Sequence, residues 1–179
     1  MDQLLDALEY LHKNRIIHRD LKLSNILIRG EDEKIEIAIC DFGLAVLLGH
    51  PDEEHFTICG TPNYIAPEIA SQQSHGFPVD VWSVGCVFYF LVTGLMPFED
   101  SAGVKETIQR ILSGVYTKPL WTSDRGIEFL SYLLDSNPTS RASAAALRRH
   151  PFFQQVFVST IIVYEYLQVY NNRICTFLR

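Results

Sequence analysis

Apolar residues recur at Leu4, Leu5, Leu8 and Leu11 with polar residues between them, a stripe that predicts an amphipathic helix over residues 2–13. Ile16 and Ile17 then lead into a polar loop at residues 18–25. Residues 26–28 and 35–40 are short β-branched runs joined by a polar turn at 29–34, which reads as a hairpin. Such a hairpin delivers Asn25 at one end and Asp41 at the other, so side chains distant in sequence converge. Periodicity disappears over residues 44–65, where Gly49, Pro51, Gly60 and Pro62 punctuate the chain, and a functional loop is the natural reading. Residues 79–91 are apolar nearly all round, which predicts a helix buried on every side and serving as the structural axis. Residues 102–112, 123–134 and 143–150 read as further helices. Ser123 is placed to cap the second, and Pro151 stops the last.

Composition narrows the class without changing the pattern. A chain of 179 residues, 47% hydrophobic and 12% aromatic, can bury a core as one globular domain. Its formal charge of -6, with no Lys/Arg cluster, argues against a nucleic-acid or anionic-membrane surface and leaves proteins and small molecules as partners. Two apolar stretches, residues 79–95 and 156–170, are both interrupted by polar residues, and neither reaches the ~20 apolar residues that span a bilayer. The acidic start Met1-Asp2-Gln3-Leu4-Leu5-Asp6 carries no secretory pattern, so an intracellular, cytoplasmic location is the expectation. Cys40, Cys59, Cys86 and Cys175 are scattered, with no C-x-x-C pair and no His at metal-ligand spacing, as reduced structural thiols would be.

The chemistry concentrates in the loop and hairpin. Phosphoryl transfer needs a carboxylate near the attacking hydroxyl, metal ions against the phosphate charge, and a cation on the transferring group. Asp20, Lys22, Asn25 and Asp41 supply that inventory. Any one of them alone reads as a polar loop residue. Their joint spacing, with a hairpin before Asp41-Phe42-Gly43, does not.

The stretch His18-Arg19-Asp20-Leu21-Lys22-Leu23-Ser24-Asn25 followed by Asp41-Phe42-Gly43 resembles the catalytic loop of eukaryotic protein kinases. Ala66-Pro67-Glu68, Asp80-Val81-Trp82-Ser83-Val84-Gly85, Arg141 and His150-Pro151-Phe152 extend the resemblance over residues 1–153. It implies a mainly α fold with a small β-hairpin, the C-terminal (large) lobe of the kinase-like fold, acting with ATP and Mg²⁺ on protein substrates. Asp20 would orient the substrate hydroxyl and accept its proton. Lys22 would stabilise the transferring phosphoryl group, as in serine/threonine kinases. Asn25 and Asp41 would ligate Mg²⁺ with hard oxygen donors. Thr61 would position Asp20, Asp80 would brace the catalytic loop, and Glu68 with Arg141 would form a buried ion pair. His18 and Phe42 would pack in the core, while His12, His50, His55 and His75 read as surface or satisfied histidines. A phosphate on Thr57, worth ~1.5 to 2 negative charges, would pair with Arg19 and order the loop.

Residues 56–68, Phe56-Thr57-Ile58-Cys59-Gly60-Thr61-Pro62-Asn63-Tyr64-Ile65-Ala66-Pro67-Glu68, are similar to the polo-like kinases. Asp52-Glu53-Glu54-His55 and residues 69–76 are similar to the Sak branch, which is associated with centriole duplication and implies centrosomal or nuclear sites besides the cytoplasm. Two departures qualify the resemblance. No G-x-G-x-x-G strand pair, V-A-I-K lysine, paired helix glutamate or hinge lies in the sequence, so the N-terminal lobe is read as absent and the activity of this polypeptide as negligible. Residues 154–179 read as an atypical apolar tail where a polar linker is expected, and as an association risk. The competing readings are a non-catalytic kinase-like module that binds proteins, and a small-molecule phosphotransferase. The second is disfavoured by D-F-G and A-P-E occurring together.

Overall fold

The computed structural model describes residues 1–30, 35–50, 53–119 and 123–154. The expected turn residues 31–34 and nearly all of the apolar tail, residues 155–179, lie outside the described residues. Helix α1, Asp2–Lys13, buries Leu4, Leu5, Leu8 and Leu11 as its sequence stripe requires. Asn14 ends it by returning its N–H to the Tyr10 and Leu11 carbonyls. Strand β1, Ile16–Ile17, follows. β2, Ile26–Arg29, pairs antiparallel with β3, Glu36–Ile39, so that Ile26 faces Ile39 and Arg29 faces Glu36. β4, Val46–Leu47, pairs with β1, placing Ile16 opposite Leu47. The described residues therefore hold two small sheets where the pattern predicts one hairpin. Two-residue strands leave no alternation to detect, which is why β1 and β4 are invisible in the sequence.

The helical part is organised around α3, Pro78–Thr93, in which every residue from Val79 to Tyr89 is buried. Around it lie α2, Pro67–Ala70, α4, Val104–Ser113, α5, Asp124–Leu133, and α6, Ala144–Leu147. Trp82 of α3 stacks on Phe98 at 5.1 Å, and Phe88 meets Phe129 of α5 edge-on at 5.3 Å. Gly85 of α3 packs against the end of α5. A Cβ there would stand 2.6 Å from Leu134 Cδ2 and 3.0 Å from Leu133 Cβ. Ser123 caps α5 as expected, its hydroxyl accepting the Gly126 N–H.

α4 and α6 fall short of their predicted ranges. α4 begins at Val104 because Gly103, at φ 128°, cannot continue a helix backward into the turn. α6 stops at Leu147; Arg149 and His150 bond three residues back, to Ala146 and Leu147, and a 3-10 turn at Pro151–Gln154 follows. Among the described residues no helix is long and apolar enough to cross a membrane.

One buried ion pair knits three segments together. Arg141 donates Nη1 to Glu68 Oε1 at 2.7 Å and Nη2 to Oε2 at 3.0 Å. The same guanidinium donates to the Asp135 and Pro78 carbonyls, both at 2.8 Å, and lies 5.1 Å from the Trp82 ring centroid. It joins α2, the first residue of α3 and the loop after α5. Both side chains are buried, so removing one strands the other's charge. Arg141→Met is expected to lower the unfolding free energy by ~3 to 5 kcal/mol, measured by urea denaturation, with part of the loss recovered when Glu68→Gln is added.

Candidate active site

Asp80 sits in the first turn of α3 with its carboxylate fully buried. Its Oδ2 accepts the His18 N–H at 2.8 Å and its Oδ1 accepts the Arg19 N–H at 2.8 Å. His12 Nε2, on α1, lies 3.1 Å from Oδ2. This clamp fixes the start of the 18–25 loop and holds Arg19 at φ 66°, a left-handed conformation uncommon outside glycine. The His18 ring completes the turn. Asp20 N–H donates to its Nδ1 at 3.3 Å, and its Nε2 lies 3.0 Å from the Cys40 carbonyl. Those partners suit a ring whose Nδ1 accepts and whose Nε2 donates.

The polar residues of the loop then converge. Thr61 donates its hydroxyl to Asp20 Oδ1 at 2.8 Å, and Lys22 Nζ donates to Asp20 Oδ2 at 2.7 Å and to Thr61 Oγ1 at 3.1 Å. Asn25 Nδ2 donates to the Asp20 carbonyl at 2.9 Å and reaches Oδ2 at 3.4 Å. Asp20 is only 8% exposed. Burial pushes its carboxyl pKa up, but hydrogen bonds from Lys22 and Thr61, the Lys22 charge and the Asn25 amide outweigh that push and hold it below the ordinary value. Asp20 is therefore a carboxylate at neutral pH, oriented by three side chains.

The hairpin brings the other two oxygen donors alongside. Asn25 closes a 3-10 turn at Leu23–Asn25, and its carbonyl accepts the Cys40 N–H at 2.9 Å, which sets Asp41 beside it. The Asn25 amide nitrogen is engaged by Asp20, so its side-chain oxygen is the group that can meet a cation. Asp41, at φ 61°, is exposed, with Oδ1 accepting the Gly43 N–H at 3.3 Å. Among the described residues no group of three or more His, Cys, Asp or Glu could hold a metal alone. One amide oxygen and one carboxylate instead fit Mg²⁺, which takes one or two protein oxygens and completes its shell with phosphate and water.

Not every expected contact is present. His18 is buried and meets Phe42 edge-on at 5.0 Å, yet Phe42 is 46% exposed and so is not packed in the core as expected. Thr57 is exposed and makes no contact with Arg19 among the described residues. Arg19 Nε donates instead to the Leu44 carbonyl at 2.7 Å. His12 is satisfied, as expected, but its partner Asp80 gives it a place in the site that nothing local in the sequence signals. His75 is buried with neither ring nitrogen hydrogen-bonded among the described residues, so it is neither a surface nor a satisfied histidine. Gly60 reads in the sequence as loop punctuation alone, and the fold gives it a larger part. At φ 106°, with a Cβ position 2.9 Å from the Arg19 carbonyl, it is the residue that lets Thr61 approach Asp20, and the Gly-Thr-Pro sequence is its only local signal. Replacing Lys22 by Met removes both a donor and a charge from Asp20. The Asp20 carboxyl pKa is expected to rise, and the carboxyl ¹³C titration by NMR checks it.

Comparison with known proteins follows the same residues. A family model described as the protein kinase domain matches residues 1–153. The chain is 43% identical over 155 residues to serine/threonine-protein kinase PLK4 of Aedes aegypti, a match covering 87% of this chain and 20% of that protein. It is 45% identical over 159 residues to the PLK4 of Drosophila virilis, covering 89% and 20%, and 44% identical over 155 residues to that of Danio rerio, covering 87% and 16%. The chain thus spans about a fifth of the length of the curated relatives it matches. With a family match that takes in the Asp20 cluster, the hairpin and the buried ion pair alike, the chain belongs to the protein kinase family and is similar to its polo-like members.

Proposed function

We propose that residues 1–153 form the larger lobe of a serine/threonine protein kinase, with residues 154–179 a separate apolar tail, and that the site serves transfer of the ATP γ-phosphoryl group to a protein Ser or Thr hydroxyl. The observation that carries this reading is the Asp20–Lys22–Thr61 triangle, a carboxylate kept ionised and already bonded to a hydroxyl at 2.8 Å. Asp20 orients the incoming hydroxyl and takes its proton. Lys22, 2.7 Å from that carboxylate, places its ammonium on the transferring phosphoryl group and couples the two ends of the reaction. Thr61 holds Asp20 against rotation. Mg²⁺, when bound with ATP, neutralises phosphate charge, and the Asn25 oxygen and the Asp41 carboxylate would hold it.

Arg19 and Thr57 belong to the regulation of the same site. A phosphate on exposed Thr57 would draw the Arg19 guanidinium from the Leu44 carbonyl and order the loop between them. Protein substrates, and a cytoplasmic or centrosomal setting, follow from the same reading. The Gly-rich strand pair and lysine that cover the nucleotide in this family do not lie within residues 1–179. Removing a single preorganised electrostatic interaction costs on the order of 10² to 10³ in rate, so these residues alone are expected to turn over negligibly.

Exposed Leu27 and Phe42, 50% and 46% accessible, favour a surface made to be covered. That observation also suits a protein-binding module, and nucleotide binding separates the two. Calorimetric titration with Mg-ATP is expected to show weak, Mg²⁺-dependent binding that Asp41→Asn abolishes and Asp20→Asn retains. Binding indifferent to Asp41→Asn and to Mg²⁺ would overturn the kinase reading and leave the binding module.

A further inference from the structure

His55 and His75 lie on opposite sides of an isolated antiparallel bridge. His75 N–H donates to the His55 carbonyl at 2.9 Å, and His55 N–H donates back at 3.3 Å. Next to it, the Ser74 hydroxyl donates to Glu54 Oε1 at 3.1 Å. These bonds tie residues 54–55, just ahead of Thr57 and Gly60, to residues 74–75, which lead into α3. The two rings are 6.5 Å apart, centroid to centroid. They are not equivalent. The Glu53 carboxylate lies 3.3 Å from His55 Nε2, although that nitrogen too makes no hydrogen bond among the described residues. His75 is 6% exposed and has no carboxylate in contact and no hydrogen bond to either ring nitrogen among the described residues.

We propose that this pair is a proton-operated latch: with His75 neutral the bridge holds the loop against the segment before α3, and a proton taken up from solvent by His75 releases it. The reason is the cost of a charge in that place. Burial lowers the His75 pKa from its ordinary 6.5. The Gln73 carbonyl faces the ring outside hydrogen-bond geometry and favours the charged form, Arg19 and His55 oppose it, and Glu68 favours it with a carboxylate already committed to Arg141. The open form therefore binds the proton more readily than the closed one. Closure is fully favoured above pH 6.5 and weakens as pH falls from there toward the depressed value of the closed form. Over that window one proton shifts the open-to-closed ratio by up to about tenfold per pH unit.

The latch concerns the loop's attachment and not phosphoryl transfer, so its test reads neither nucleotide nor turnover. Amide hydrogen exchange of the whole 179-residue chain, corrected for the intrinsic pH dependence, is followed from about pH 8 to 5 alongside the His75 ring proton shift. The expected result is that protection at His55 and His75 falls by up to about tenfold per pH unit as His75 titrates, while amides of α3 stay protected. His75→Leu, similar in size but without a titrating ring, is expected to flatten that pH dependence. Protection unchanged through the His75 titration overturns the proposal, as does a parallel loss in α3, or an unaltered pH slope in His75→Leu. Should His75→Leu not fold, the wild-type correlation with His55→Gln, expected to keep the slope, decides the question.

Discussion

A carboxylate with no exposure to water must find donors, and at Asp80 that requirement shapes the site. Its place in the first turn of α3 supplies part of the stabilisation through the helix dipole. The rest comes from the His18 and Arg19 N–H groups and the His12 ring. Two successive backbone N–H groups can point at one carboxylate only if the chain turns sharply between them. Arg19 at φ 66° is that turn. Asp20 then emerges on the opposite side, toward Thr61 and Lys22. The apolar helix and the polar loop are therefore one construction, since the helix is rigid enough to fix a carboxylate and the carboxylate in turn fixes the loop.

The elements with long periods are legible in the sequence. α1 and α3 announce themselves because a buried stripe and a buried cylinder leave opposite signatures over a dozen or more residues. The hairpin is legible because two β-branched runs flank a polar turn, and with it the meeting of Asn25 and Asp41. What escapes depends on partners far away in sequence. β1 and β4 exist by pairing with each other, His12 matters through a carboxylate on α3, and Gly60 matters through a carbonyl of the 18–25 loop. None of these relations has a local period. The residues of the candidate site can be named because their types and spacing resemble a family, while their distances and protonation states need the fold.

The charges of the site are arranged in two tiers. Deep inside, Glu68 with Arg141 and Asp80 with its donors are compensated nearly completely, so they hold segments together without inviting ligands. Near the surface, Asp20 and Lys22 compensate each other, while Asp41 stands exposed on the hairpin. The deep compensated charges give rigidity, while the Asp20–Lys22 pair and Asp41 are the charges within reach of a ligand.

The contact between α1 and the end of α6 has a bearing on how the polypeptide is made. Arg148 reaches Asp2, Asp6 and Glu9 along α1, and α6 packs against the same helix, so the first element of the described chain is closed by one of the last. A ribosome extrudes the chain from its N-terminal end. α1 meets β1 and β3 soon after it is made, whereas its acidic residues wait through the synthesis of more than a hundred residues before Arg148 appears. Contacts of such sequence separation form slowly, so the Arg148 clasp follows the packing of α1 on the nearby strands. The clasp is thus a late closure over a helix already seated on the strands that follow it.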